Sequence, residues 1–185
     1  MLSLLLATLI TSTLANPCGP LSSTCPCLGS AEAANIALRW LEIFQTDSSG
    51  NGTGAALIES TIAENFTYYD EGASFGDPAA VYSNKTALED SIAGTGYSGT
   101  LVTDVKHTVL TTFASCDTIG LRWQSDSKSA KAENVTVPVG TKVSYKGNDY
   151  LQVDLGTRLI FNVTSSSDLI NYYIALGDDV IKANL

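Results

Sequence analysis

The sequence is short of ionisable side chains. Charged residues make up 16% of its 185 positions, and there is one histidine, His107. A lone imidazole, with cysteines spaced C-x-C rather than C-x-x-C, does not supply the four spaced N and S ligands of a zinc centre, so no metal is expected. Lysine and arginine number 10 against 19 acidic residues, and they form no cluster. A net charge of −9 without a basic patch excludes nucleic acid as a partner, because the phosphate backbone demands one. No phosphate-cradling glycine loop and no Ser/His/Asp order is present.

What is present is a folded, weakly charged chain: 44% of the residues are hydrophobic. The first fifteen residues, MLSLLLATLITSTLA, combine an apolar core from Leu2 to Ile10 with Thr13 and Ala15 at the −3 and −1 positions of a signal peptidase site. They predict a cleaved secretory signal and a secreted or lumenal protein, with no membrane span after cleavage; an uncleaved anchor is the alternative. Five N-x-T sequons point the same way: Asn51, Asn65, Asn84, Asn134 and Asn162. Ten Asn among 40 Ser and Thr would give roughly two such sequons by chance, so five is an excess.

Four cysteines suit an oxidising compartment. Three connectivities exist. Cys25 and Cys27 are poor partners for each other, because a one-residue gap strains the bridge. The favoured pairs are Cys27–Cys116, tying the first helix to the sheet, and Cys18–Cys25, closing a small loop. Residues 1–15 are then the signal, 16–29 a Cys-rich loop, and 30–185 one domain, a length that suits a single core.

Helical spacing of Ala34, Ala37, Leu38, Leu41 and Phe44 predicts a helix from Ser30, its cap, to Gln45. A second is predicted over Ala55–Glu64, a short strand over Phe66–Asp70, and a third helix over Lys85–Ala93 capped by Asn84 or Ser83. The Thr- and Val-rich remainder reads as strands: Leu101–Ser115, Ile119–Ser125, Lys142–Val153 and Arg158–Thr164. Asp126–Val137 reads as a polar excursion, and Asp168–Leu176 as a short helix. Helices followed by an antiparallel meander give an α+β fold.

The pattern V-G-T-K-V-x-Y-K-G-x-D, a hairpin, and then D-L-I-N-Y-Y-I-A-L-G, within Pro138–Gly177, resembles the C-terminal half of SnoaL-like proteins of the nuclear transport factor two-like superfamily. The S-C-D-T-I-G-L-R-W segment and an N-terminal Cys partner look like a group of secreted fungal relatives. The resemblance implies a cone-like curved antiparallel sheet packed against N-terminal helices and enclosing a pocket for a hydrophobic small molecule, polyketide- or terpenoid-like. It implies cofactor-independent acid/base chemistry: cyclisation, isomerisation, dehydration or epoxide opening. The two histidines characteristic of scytalone-dehydratase-like members are lacking. Since the fold also hosts non-catalytic modules, a secreted ligand-binding or interaction module is the alternative, and a homodimer is open.

Strand alternation ranks the candidate residues. If Asn162 carries a glycan it points outward, which turns Phe161 and Val163 inward. Asp149 shares a face with Tyr145, Leu151 and Val153; SnoaL-like enzymes commonly keep an acid at this K-G-x-D place, and desolvation there would suit a general acid or base. His107 shares a face with Val105, Val109, Thr111 and Phe113 and could shuttle a proton. Asp70, on the same face as Tyr68, could orient a substrate oxygen. Arg122 could polarise one, as in epoxide-opening relatives. Tyr68, Trp123, Tyr145, Phe113 and Phe161 are the expected substrate-binding set. For each, a structural role in the core or in an ion pair is the competing expectation.

Overall fold

Apolar residues at Ala33, Ile36, Ala37, Trp40 and Leu41 recur at the spacing of one helical face, and all five are buried in the computed structural model, which describes residues 26–74, 77–93 and 101–178. They form the inner stripe of helix α1, Ser30–Ile43. The face is rotated from the expected one, since Leu38 is exposed and Trp40 takes its place inside. Gly29, not Ser30, occupies the N-cap. Helix α2 is a single turn, Ala55–Ile58, where a longer helix was expected. Strand β1, Ile62–Asp70, replaces its second half: Ile160 N donates to Thr61 O at 2.8 Å, and Ile62 pairs with Ile160. Sheet pairing of β-branched residues here overrides a weak helical pattern. Helix α3, Lys85–Ile92, is capped by Asn84, whose side chain accepts from Ala87 N at 2.8 Å.

Four further strands follow: β2, Val102–Ser115; β3, Thr118–Ser129; β4, Lys142–Val153; β5, Ile160–Ser167. Helix α4, Leu169–Ala175, is capped by Asp168. The sheet order is β1-β5-β4-β3-β2. β2 to β5 form the expected antiparallel meander, and β1 joins its end parallel to β5. The fold is α+β: a curved, unclosed five-stranded sheet with α1 packed against β2 and β3, and α4 against β4. β3 runs to Ser129, four residues beyond the expected end, because Ser127 and Ser129 keep the inward alternation and are buried.

Cys27 and Cys116 form a disulfide with Cα atoms 4.1 Å apart, and Leu28 N donates to Cys116 O at 2.9 Å beside it. This joins the lead-in of α1 to the β2–β3 turn. Cys18 and Cys25, like the signal segment, lie outside the described residues. Among the described residues no helix is long and apolar enough to cross a membrane.

Candidate functional site

The curved sheet, α1 and α4 surround a cavity of about 310 Å³. Every element of the fold except α2 and α3 gives it a side chain. The period of two along β4 turns Tyr145, Gly147, Asp149, Leu151 and Val153 inward, leaving Lys146, Asn148, Tyr150 and Gln152 on the outer face.

Asp149 is 3% exposed and lines the cavity. Trp40 Nε1 donates to its Oδ2 at 2.8 Å, and Ser165 Oγ to its Oδ1 at 2.7 Å. Ser165 is its cross-strand partner on β5. No cation pairs with Asp149 among the described residues. Burial therefore pushes its carboxyl above the usual range; Trp123, Ser165 and Trp40 pull it back in part, and the charge of Asp70 adds to the rise. Trp123 Nε1 approaches this carboxylate outside hydrogen-bond geometry and is buried with no partner among the described residues.

Asp70 stands across β5 from Asp149, both paired with Ser165. Tyr68 OH donates to its Oδ2 at 2.9 Å, and the backbone amides of Gly72 and Ala73 donate to its Oδ1. Burial, then the charges of Asp70 and Asp149, hold the Tyr68 phenol well above its ordinary value. His107 lines the cavity from β2, its ring edge-on to Trp123 at 5.5 Å. Burial pushes its imidazole down to about 4, so it is neutral at neutral pH. Its Nδ1 is buried with no partner among the described residues.

Aromatic rings make two walls. One runs Phe44, Trp40, Tyr68, Tyr82, with neighbouring centroids 4.7, 5.7 and 5.6 Å apart. The other runs His107, Trp123, Tyr145, Tyr172, at 5.5, 5.5 and 4.9 Å. Burial, then Tyr173, push the Tyr172 phenol up to about 12, so it stays a proton donor.

The cavity thus brings together Asp149, His107, Asp70, Tyr68, Trp123 and Tyr145. Three expected residues stand elsewhere. Arg122 is exposed on the outer face, where its Nη1 donates to Asn148 Oδ1 at 2.9 Å, because it alternates with the inward Trp123. Phe113 is 64% exposed on the outer face. Val109 pairs with Trp123 but Thr111 with Arg122, so Leu110 is an extra residue in β2 and reverses the alternation beyond it. Phe161 sits where the β4–β5 register slips between Gln152 and Val153; it is half-buried and does not line the cavity. Asn51, Asn65, Asn84 and Asn134 are exposed. Asn162 is half-buried and donates to Thr67 Oγ1 at 2.7 Å.

The sequence reading missed Ser165, because its last strand stopped at Thr164. Extending the Phe161–Val163 alternation by two residues finds it. Tyr172 and Tyr82 lie in the predicted short helix and in a loop, where no local signal marks either as a wall of a cavity.

Residues 26–179 match the family model described as an NTF2-like domain. No curated protein matches the chain. Among solved structures, a protein described as a polyketide cyclase from Acidithiobacillus ferrooxidans is similar at a TM-score of 0.61 and 14% identity, over 80% of this chain and 96% of that one. A protein described as a SnoaL-like polyketide cyclase from a Jannaschia species is similar at 0.57 and 13% identity, over 84% and 95%. PrhC from Penicillium brasilianum is similar at 0.56 and 11% identity, over 83% and 91%. At these identities the likeness is one of fold.

Proposed function

The chain belongs to the NTF2-like domain family, and we propose that its cavity takes up a hydrophobic small molecule of polyketide or terpenoid type and moves a proton on it without a cofactor. The observation that carries this reading is Asp149: a carboxyl 3% exposed, without a cationic partner among the described residues, and set in the wall of an aromatic cavity. A carboxyl raised toward neutrality can accept a proton from carbon and return it elsewhere. Trp40 and Ser165 fix its plane, so its free lone pairs keep one direction. The Tyr172 hydroxyl can donate to the oxygen on which negative charge develops. Such an arrangement serves aldol cyclisation, double-bond isomerisation and dehydration. Epoxide opening loses the support of Arg122, which stands outside the cavity. The N-terminal signal pattern and the four exposed sequons support a secreted glycoprotein, a reading that glycopeptide mapping of the native protein tests.

A second reading rests on the same residue. Both Asp149 oxygens already hold protein donors, as they would in a binding module where the acid only pins α1 to the sheet. Deuterium exchange separates the two. With β-tetralone as an enolisable bicyclic probe in D2O, NMR should show loss of the α-protons above the buffer rate, abolished by Asp149→Asn with probe binding retained. Binding without exchange in either protein would leave the module.

A further inference from the structure

The cavity is built for one sign of charge. Its lining holds two carboxylates, Asp149 and Asp70, and neither lysine nor arginine. The lysines on the strands that line it point away: Lys106, Lys128, Lys142 and Lys146 are exposed. The one other base, His107, is kept neutral by burial. Two walls of aromatic rings, each with a Trp, flank these acids. Ring faces carry negative potential, and a cation held over them gains most where water is excluded. The net charge of −9 adds a long-range field of the same sign.

We propose that the ligand of this cavity is a hydrophobic organic cation, a tertiary or quaternary amine nitrogen carried on a carbon skeleton, seated between the aromatic walls against Asp149. This rests on the cavity being the small-molecule site proposed above, and it narrows what that site takes. A neutral ligand would leave the buried Asp149 without a countercharge and remove more water from it. A cationic one supplies the countercharge that no described residue provides. A quaternary group needs no hydrogen-bond acceptor, and a protonated tertiary amine can donate to a lone pair that Trp40 and Ser165 leave free.

Entry of the cation lowers the carboxyl's affinity for its proton, so uptake is coupled to proton release. The groups that bear on this titration are Asp70 from β1, His107 from β2, the phenols of Tyr68, Tyr145 and Tyr172, and Tyr82 from the loop before α3. His107 becomes cationic only near pH 4, so it opposes the ligand only in acid.

The test compares phenyltrimethylammonium with its uncharged carbon isostere, tert-butylbenzene, by titration calorimetry of the full-length protein at pH 5 and 7 in two buffers of different ionisation heat. The cation should bind at least about tenfold more tightly, with affinity no lower at pH 7 than at pH 5 and protons released rather than taken up on binding. Asp149→Asn should bring the two probes within about threefold and remove the proton release. Binding of tert-butylbenzene as tight as that of the cation, or proton uptake with the cation, overturns the proposal while leaving a neutral-ligand cavity standing. Failure of both probes to bind overturns it together with the small-molecule site. The wild-type comparison needs no variant, so a misfolded Asp149→Asn protein does not protect the proposal.

Discussion

Asp126 and Asp149 belong to the same β3–β4 hairpin and meet opposite fates. Asp126, on the outer face, accepts from Gln124 Nε2 at 2.8 Å and pairs with Lys142 at 3.1 Å. These contacts, the Gln124 bond foremost, hold its carboxyl below the usual range. Asp149, on the inner face, has no cation and is raised by burial. The outer face is fitted to water and to charges of both signs. The inner face buries its acid and gives it no cation among the described residues, although the strands that carry the two faces are the same. An unpaired buried carboxyl lowers stability, and its place in the wall of a cavity is the observation on which the proposed site rests.

The sharpest way to break this contrast is to change neighbouring residues that face opposite ways. Asp149→Asn should reduce α-proton exchange of β-tetralone by about 10²- to 10⁴-fold, the usual worth of a positioned base. Asn148→Ala, one residue away on the outer face, should leave it unchanged. The amide introduced by Asp149→Asn could still accept from Trp40 and donate to the Ser165 hydroxyl, so the variant should fold. It should also be relieved of a pH penalty. A carboxyl raised in the folded state costs stability as pH climbs from 3.8 through its raised value, and the amide removes that loss. Equal exchange in both variants would dissolve the distinction between the faces.

Two glycines sharpen the contrast in steric terms. A Cβ on Gly147 would lie 2.2 Å from the Trp123 ring, and a Cβ on Gly120 would lie 2.2 Å from the Phe113 ring. The clashes are equal, but the rings are not. Trp123 is 6% exposed and boxed between His107 and Tyr145, whereas Phe113 is 64% exposed and can swing into solvent. Gly147→Ala should destabilise by about 2–3 kcal/mol and Gly120→Ala by less than about 1 kcal/mol, measured by urea unfolding. Comparable losses would mean the outer face is as tightly packed as the inner.

His107 supplies a smaller, pH-dependent effect. Its pKa falls from 6.5 unfolded to about 4 folded, so between those values the unfolded chain binds more protons. Stability is complete above pH 6.5 and declines as pH falls toward 4. The full shift is worth at most roughly 3 kcal/mol, and about 1–2 kcal/mol is expected for a half-buried ring. His107→Phe should keep the edge contact with Trp123 and flatten this slope between pH 7 and 4.5. An unchanged slope would place the imidazole in water.

How much of this was legible in the sequence follows from where alternation runs unbroken. Along β4 it does, and Asp149, Tyr145 and Leu151 fall on the face the sequence predicts. Along β2 the extra residue Leu110 breaks it, and Phe113 lands outside, since a bulge leaves no mark in a Thr- and Val-rich strand. The α+β class was readable because most of the helical periodicity precedes a long run of strand periodicity. The parallel pairing of β1 with β5 was not: it joins residues about a hundred positions apart, and neither segment carries a local sign of it. The Trp40–Asp149 bond spans 109 positions, and no local signal pairs the two.

The smallest effect is expected at Arg122, the residue on which the sequence and the structure differ most in consequence. Its guanidinium is exposed and bonds Asn148 across the β3–β4 pair, a contact of two solvated polar groups. Such contacts contribute within about 0.5 kcal/mol, because water replaces either partner at little cost. Arg122→Ala should leave the urea midpoint, the pH profile and the α-proton exchange of β-tetralone as they are in the wild type. Yet Arg122 lies beside Trp123, with its backbone in register with Thr111 and Asn148, so a strand that transmitted changes between faces would reveal itself here first. A loss of exchange beyond about threefold with stability intact would show that the outer face tunes the inner one through the backbone. No loss would confine the chemistry to the concave side.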